Sequence, residues 1–142
     1  MNCNKLENES KGRVLGVDFG EKRVGIAVSD RNNKYSLPLK IIRRKNDVNL
    51  IQDLKSILDE WGCTDIVFGL PDEFSSVHKK QIERIKSFVD KFQLEVNNVN
   101  VVVWSESFTS KKAREVNPKR EHIDDVAASV ILESYLESAN TK

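Results

Sequence analysis

The chain has 142 residues, of which 39% are hydrophobic and 32% are charged, and its formal net charge is +1. This length fits one compact domain with a hydrophobic core. The longest apolar runs, such as residues 99–104, are far shorter than the roughly 20 residues of a membrane-spanning helix, which argues against a membrane protein. The first residues lack the apolar segment of a secretion signal, so a cytoplasmic location is expected.

The domain organisation is predicted from composition. Residues 1–11 are polar and of mixed charge, which is typical of a flexible tail. Residues 12–138 form the predicted domain, and residues 139–142 a short C-terminal tail. Cys3 and Cys63 do not have the spacing of a zinc site, and no disulfide is expected.

The opening part of the chain predicts three strands. Residues 13–19 are apolar and residues 24–29 alternate between larger apolar and small side chains, with a glycine-containing turn between the two segments. This pattern indicates a hairpin. Residues 35–43 are a third predicted strand, in which Pro38 favours an edge position or an early bend.

The remainder alternates helices and strands. Residues 50–61 repeat apolar side chains at helical spacing, between a predicted N-cap in Asn46-Asp47 and a C-terminal stop at Gly62. Further strands are predicted over residues 65–70 and 99–104, and further helices over residues 76–92, 109–116 and 123–136. An antiparallel opening followed by alternating elements predicts an α/β fold with a mixed sheet and helices on its faces.

Asp18 is the clearest candidate for a functional residue. It ends an apolar strand, where an uncompensated carboxylate would be costly. Its side chain could equally cap the following turn, so its local setting leaves a structural and a functional role about equally favoured.

Two further acids become candidates in combination with Asp18. Glu106 follows the strand at residues 99–104, and Asp124 begins the last helix. Taken alone, Glu106 is typical of a solvated loop and Asp124 of a helix start that favours negative charge. Together, the three carboxylates could converge at one end of a sheet and hold Mg²⁺ or Mn²⁺, which prefer oxygen ligands.

Two basic clusters could attract a phosphate backbone. Either cluster alone is more typical of a solvated face. The first consists of Lys40, Arg43, Arg44 and Lys45, and the second of Lys111, Lys112, Arg114, Lys119 and Arg120.

Several segments together resemble the YqgF/RuvX family of pre-16S ribosomal RNA nucleases, which are related to Holliday-junction resolvases. The resemblance covers most of residues 12–138 and is most specific over Gly16–Asp30, which reads GVDFGEKRVGIAVSD. Residues 66–71, IVFGLP, and residues 123–128, IDDVAA, resemble two further motifs of the family.

The resemblance implies a ribonuclease-H-like fold and a metal-dependent nuclease of structured RNA. It implies that Asp18, Glu106 and Asp124 are the catalytic acids and the ligands of Mg²⁺ or Mn²⁺. The residues expected to position nucleic-acid phosphates are Lys22, Arg23, Thr109, Lys111, Lys112 and Arg114.

This sequence departs from the family pattern at two places. Ser105 and Ser107 stand where the family usually has Asp and Arg, which removes a carboxylate near the metal and a bidentate phosphate donor. The loop after Pro71 is also shortened and carries Asp72 and Glu73.

Alternatives to the RNA nuclease remain. One is a nucleic-acid-binding module whose catalysis is weakened by the two serines. Another is a resolvase of branched DNA, which would be expected to work as a homodimer. An ATPase of the sugar-kinase and actin type is disfavoured because such proteins need two domains to enclose a nucleotide.

Overall fold

The structure is a computed structural model that describes residues 12–71, 78–105 and 123–140. The strands and helices are numbered in chain order over these ranges. The five strands are β1 (Arg13–Asp18), β2 (Arg23–Ser29), β3 (Ser36–Arg43), β4 (Cys63–Leu70) and β5 (Asn100–Ser105). The three helices are α1 (Asp47–Trp61), α2 (Lys79–Glu95) and α3 (Ile123–Asn140).

The five strands form one mixed sheet in the order β3-β2-β1-β4-β5. The pairs β3–β2 and β2–β1 are antiparallel, whereas β1–β4 and β4–β5 are parallel. The predicted hairpin and the edge position of the proline-containing strand are therefore confirmed. The pairing of β2 with β3 shifts between Ile26 and Ala27, where Leu39 is an additional residue in β3.

The predicted ends of α1 are also confirmed. The Asn46 side chain accepts a hydrogen bond of 2.8 Å from the backbone N–H of Asn49, which caps the first turn. Gly62 ends the helix in the left-handed conformation with φ of 64°, which costs a glycine little. The helix begins at Asp47, three residues before the predicted start.

The sheet has a separate apolar core on each face. Side chains that alternate along the strands, such as Leu15, Val17 and Phe68, pack with α1 and α2 on one face. The intervening residues, including Val14 and Val67, pack with α3 on the other face. This arrangement confirms the predicted α/β sheet with helices on both faces.

Three predictions from the sequence are not tested by the described residues. The helix predicted over residues 109–116 lies outside the described residues, as does the start of the helix predicted at residue 76. The division into a domain over residues 12–138 and two tails stays a prediction. Within residues 12–71, 78–105 and 123–140, no helix has the length and apolar character required to span a bilayer.

Candidate functional site

Asp18 is the last residue of β1 and is half-buried at the carboxyl end of the parallel strands. Its strand alternates between the two cores: Leu15 and Val17 face α1 and α2, whereas Val14 packs on the α3 side. Asp18 therefore belongs to the α3 face. Its location at a strand end near a helix-covered face is a common place for a ligand site in α/β proteins.

Glycines surround Asp18 within the sheet. Gly16 and Gly20 lie two residues before and after it along the chain, and Gly25 pairs with it across β2. On the other side, Gly69 follows Phe68, which is the partner of Val17, and so lies beside Asp18 on β4. These four residues, which we call the glycine ring, account for four of the six glycines in the chain.

The glycine ring decides from which direction Asp18 can be contacted. Because its direct neighbours in the sheet carry no side chain, the carboxylate on this face is bordered by backbone, which leaves room for groups from outside the sheet. Trp104 on β5 is one position further away, opposite Gly69, and its indole N–H donates a 3.1 Å hydrogen bond to the Ser134 hydroxyl on α3. The ring of Trp104 also packs edge-to-face on Tyr135.

Helix α3 lies close to β1 because Gly16 has no side chain. A Cβ on Gly16 would lie 2.8 Å from Cβ of Leu132 and 3.2 Å from the carbonyl oxygen of Ala128. Further along α3, burial raises the pKa of Tyr135, and the negative charge of Asp65 raises it further. Asp65 pairs with Val14 near the start of β1, so α3 runs from the carboxyl end of the parallel strands towards their amino end.

The direction of α3 bears on Asp124, the second residue of this helix. Ala128, one helical turn later, lies over Gly16, two residues before Asp18 on β1. The start of α3 therefore points towards the strand end that carries Asp18. The Asp124 side chain lies outside what the structure describes.

Most of the other predicted site residues also lie in parts of the chain that the structure does not describe. Glu106, Ser107, Thr109, Lys111, Lys112 and Arg114 lie outside the described residues. Ser105 ends β5, opposite Leu70 of β4. Over the ranges that the structure describes, no three Asp, Glu, His or Cys side chains come close enough to hold a metal ion. The convergence of the three acids therefore stays a prediction.

Lys22 and Arg23, the two predicted phosphate-binding residues at the hairpin, are both exposed. Lys22 lies in the turn between β1 and β2, and its carbonyl accepts a 2.9 Å hydrogen bond from the backbone N–H of Arg44. Arg23 begins β2 and is directly opposite Arg43 on β3.

On the face of α1 and α2, the same end of the sheet carries a group of ion pairs that sequence analysis missed. Asp47 at the start of α1 accepts hydrogen bonds from Arg44 at 3.1 Å, Arg84 at 2.7 Å and Lys91 at 3.0 Å. Glu21 in the hairpin turn pairs with Arg44 at 2.9 Å and with Arg84 at 3.0 Å. We call these five residues the ion-paired cluster.

The ion-paired cluster packs against the residue that follows Asp18. The guanidinium groups of Arg44 and Arg84 lie 5.7 and 5.2 Å from the centre of the Phe19 ring, within cation–π range. Phe19 also packs on Phe88 of α2 at a centroid distance of 5.1 Å. The cluster thus ties the turn after Asp18 to both helices of this face.

The charges of the ion-paired cluster shift the pKa values of its members. The hydrogen bond from Arg84 is the main cause that lowers the pKa of Asp47, against the opposing effect of burial, and Lys91 lowers it further. The hydrogen bond to Asp47 in turn raises the pKa of Arg84. The side chain of Asp47 is only 13% exposed, so these interactions stabilise its ionised form inside the fold.

The sequence profile of the RuvX family, described as Holliday junction resolvase, matches residues 12–138. The chain belongs to the RuvX family. The match covers the glycine ring, β1 and most of α3, and it confirms the family predicted from the segment Gly16–Asp30.

Curated relatives in this family are similar over nearly their whole length. A protein of Caldanaerobacter subterraneus subsp. tengcongensis is 32% identical over 135 residues, covering 89% of this chain and 96% of its own. A protein of Desulforudis audaxviator is 30% identical over 134 residues, covering 89% of this chain and 94% of its own. Both carry the name "Putative pre-16S rRNA nuclease".

Solved structures share the fold at much lower sequence identity. RuvC of T. thermophilus in complex with a Holliday junction substrate is 12% identical, with a TM-score of 0.58 over 90% of this chain and 95% of its own. The fowlpox virus Holliday junction resolvase is 18% identical, with a TM-score of 0.50 over 89% of this chain and 99% of its own. The predicted ribonuclease-H-like fold is thereby confirmed.

Proposed function

We propose that this protein is a metal-dependent endonuclease that hydrolyses phosphodiester bonds at the 5′ end of pre-16S ribosomal RNA, in the cytoplasm. Its family and the names of its curated relatives support this function. The structural observation that carries the proposal is Asp18 within the glycine ring, at a strand end towards which the start of α3 points. The proposed nuclease domain spans residues 12–138.

The residues at this place fit a divalent cation. Asp18 is half-buried and offers the hard oxygen ligands that Mg²⁺ and Mn²⁺ prefer. Glu106 and Asp124, the two other proposed ligands, belong to segments that would cover Asp18 from outside the sheet. A bound cation would lower the pKa of an attacking water and stabilise the departing oxygen of the phosphodiester.

The protein's own residues would bind and orient the substrate. Asp18 would be fixed by β1, whose turn the ion-paired cluster holds against α1 and α2. Lys22 and Arg23 are exposed at the same end of the sheet, where they are proposed to contact substrate phosphates. The basic residues Lys111, Lys112 and Arg114, with Thr109, are the remaining proposed phosphate contacts.

A second candidate function is resolution of branched DNA. The description of the family model and the fold shared with a junction-bound RuvC favour it. A resolvase cuts two strands and would act as a homodimer. Weakened catalysis is the third candidate, because Ser105 ends β5 where the family usually has an acid.

The test compares the wild type with Asp18→Asn on two substrates in Mn²⁺. The substrates are a 5′-extended precursor of 16S ribosomal RNA and a four-way DNA junction. Asp53→Asn is the matched control, because Asp53 is an exposed aspartate on α1 outside the proposed site. Calorimetric titration with Mn²⁺ accompanies the cleavage assays.

We expect the wild type and Asp53→Asn to cleave the RNA, and Asp18→Asn to lose more than about 100-fold in rate together with Mn²⁺ affinity. Cleavage of the junction alone would replace the RNA assignment with the resolvase. RNA binding without Mn²⁺ binding or cleavage in the wild type would establish a binding module instead. Equal cleavage by Asp18→Asn and the wild type would overturn the proposed site.

A further inference from the structure

Two arginines face each other across the outer strands of the sheet. Arg23 of β2 is in register with Arg43 of β3. The next pair outward, Lys22 and Arg44, is joined by a backbone hydrogen bond, so Arg23 and Arg43 occupy the narrow position between hydrogen-bonded pairs. At such a position the two Cα atoms are about 4.5 Å apart, and the side chains leave the sheet close together.

Both side chains of this arginine pair lie on the same face as Asp18. Val24 and its partner Ile42 pack into the core of α1 and α2. The residues next to them, Arg23 and Arg43, therefore project from the opposite face, which carries α3.

The arginine pair has no compensating charge within the described parts of the chain. Arg23 and Arg43 are both exposed, and neither guanidinium group donates a hydrogen bond to, or forms an ion pair with, any residue of the ranges 12–71, 78–105 and 123–140. Like charges directly opposite each other on neighbouring strands destabilise a sheet. The repulsion would be relieved by an anion that contacts both groups.

Arg44, the next residue along the chain, differs from Arg43 in both burial and pairing. Its side chain is 13% exposed and its guanidinium is paired with Glu21 and Asp47 on the other face. The sheet thus separates two neighbouring members of the first basic cluster: Arg44 is paired on the α1–α2 face, whereas Arg43 is exposed on the α3 face beside Arg23.

The distance between the arginine pair and Asp18 suits two neighbouring phosphates of a nucleic-acid backbone. Gly25 is the direct neighbour of Asp18, and Arg23 lies two residues further along β2, so its Cα is roughly 8 Å from that of Asp18. Arg43 is one strand further out. Extended arginine side chains from these positions would reach a phosphate next to, but separate from, one held at Asp18.

We propose that Arg23 and Arg43 together bind one backbone phosphate of the nucleic acid, adjacent to the phosphodiester at Asp18. This inference rests on the proposed nuclease function and adds Arg43 as a substrate-positioning residue. Two guanidinium groups offer paired N–H donors of the geometry that phosphate oxygens accept. Since the contact is to the backbone, it supplies affinity and register without reading the base sequence.

The test measures binding of a fluorescein-labelled RNA hairpin by anisotropy in EDTA, so that cleavage does not interfere. The variant is Arg43→Gln, and the matched control is Arg31→Gln. Arg31 is an exposed arginine in the turn at the other end of the β2–β3 hairpin. Affinity is measured between about 50 and 200 mM KCl, because each lost phosphate contact reduces the salt dependence.

We expect Arg43→Gln to weaken binding about fivefold and to reduce the slope of log affinity against log salt by about one. Arg31→Gln should match the wild type in both quantities. Thermal unfolding at low salt distinguishes binding from a structural role. Removing the repulsion should leave the melting temperature of Arg43→Gln unchanged or raised, whereas loss of a structural contact would lower it.

The outcomes separate this inference from the proposed function. Identical affinity and salt slope for Arg43→Gln and Arg31→Gln would overturn the phosphate contact, even if the wild type cleaves RNA. A lowered melting temperature with unchanged affinity would overturn it in favour of a structural role. Weakened binding by Arg43→Gln in a protein that cleaves nothing would support the contact while the proposed hydrolysis fails.

Discussion

The two faces of the sheet differ sharply at the end that carries Asp18. On the face of α1 and α2, three cations and two carboxylates pair with one another in the ion-paired cluster. On the face of α3, the glycine ring surrounds Asp18, and the arginine pair has no partner among the described residues. The cations of the first face are paired within the fold, whereas the arginine pair of the second face is exposed.

This difference separates the residues that hold the site from those proposed to act in it. The hairpin turn between β1 and β2 links the two sides, because Phe19, directly after Asp18, packs against the cluster and Glu21 belongs to it. Changes to the ion-paired cluster should therefore affect stability and leave RNA binding largely intact, whereas changes to Asp18 or the arginine pair should affect catalysis or binding without a large loss of stability.

The largest effect on stability is expected from breaking the close approach on the α3 face. Gly16→Ala would bring a methyl group to 2.8 Å from Cβ of Leu132, which is near the helix backbone and cannot rotate away. We expect a loss of about 2 kcal/mol in the free energy of unfolding, measured by urea denaturation. To accommodate the methyl group, α3 would have to move outward, including its start near Asp18. RNA cleavage should therefore fall as well.

RNA binding in EDTA gives the control for this variant. The arginine pair lies on β2 and β3, so its contribution to affinity should survive a small displacement of α3. A Gly16→Ala variant with wild-type stability and cleavage would show that α3 adapts without cost and that its position does not govern the site.

A smaller loss of stability is expected from breaking the ion-paired cluster. Asp47→Asn removes the charge that Arg44, Arg84 and Lys91 share, and we expect a loss of about 1–2 kcal/mol in the free energy of unfolding. Asp53→Asn on the same helix is exposed and should have little effect. RNA affinity in EDTA should stay within about twofold of the wild type.

Equal stability of Asp47→Asn and Asp53→Asn would contradict a structural role for the cluster. A large loss of RNA affinity in Asp47→Asn, with unchanged stability, would show instead that the α1–α2 face also contacts the substrate.

The smallest effect on stability is expected from protonation of Asp47 at acid pH. The pKa of folded Asp47 is lowered chiefly by its hydrogen bond from Arg84. The stabilisation that ionised Asp47 gives the folded state is therefore fully present above the ordinary aspartate pKa. It is lost as the pH falls through the lowered pKa of folded Asp47. Between about pH 5 and pH 2, the wild type should lose more stability than Asp47→Asn, by up to about 1 kcal/mol.

Parallel urea titrations of the two proteins across this range would measure the effect. If their stabilities fall in parallel with pH, protonation of Asp47 does not contribute to acid unfolding.

Much of the fold could be predicted from the sequence because its signals are local. Strand alternation in residues 24–29, the cap at Asn46 and the stop at Gly62 each lie within a few residues of the element they define. The family motif then placed these elements in a ribonuclease-H-like sheet. Asp18 could be singled out for the same reason, since its strand and its charge are neighbours in the sequence.

The ion-paired cluster could not be predicted because its partners are distant in the chain. Asp47 meets Lys91 across 44 residues, and Glu21 meets Arg44 across 23. The adjacent Arg43 and Arg44 looked alike in sequence, yet strand alternation sends them to opposite faces. The glycine ring had a visible signal in the spacing of Gly16, Gly20 and Gly25, but Gly69 joins it only through the parallel pairing of β1 with β4.

The glycine ring also has an evolutionary consequence. Since the direct neighbours of Asp18 in the sheet contribute backbone but no side chains, the chemistry proposed at this position would depend on segments that cover the sheet and contribute little to its hydrogen bonding. Mutations in those segments could alter or silence the proposed reaction while the hairpin, the two cores and the cluster keep the protein folded. The proposed catalytic acids are thus distinct from the residues that form the two cores and the cluster, so a lineage could lose or regain the proposed reaction without passing through loss of the fold.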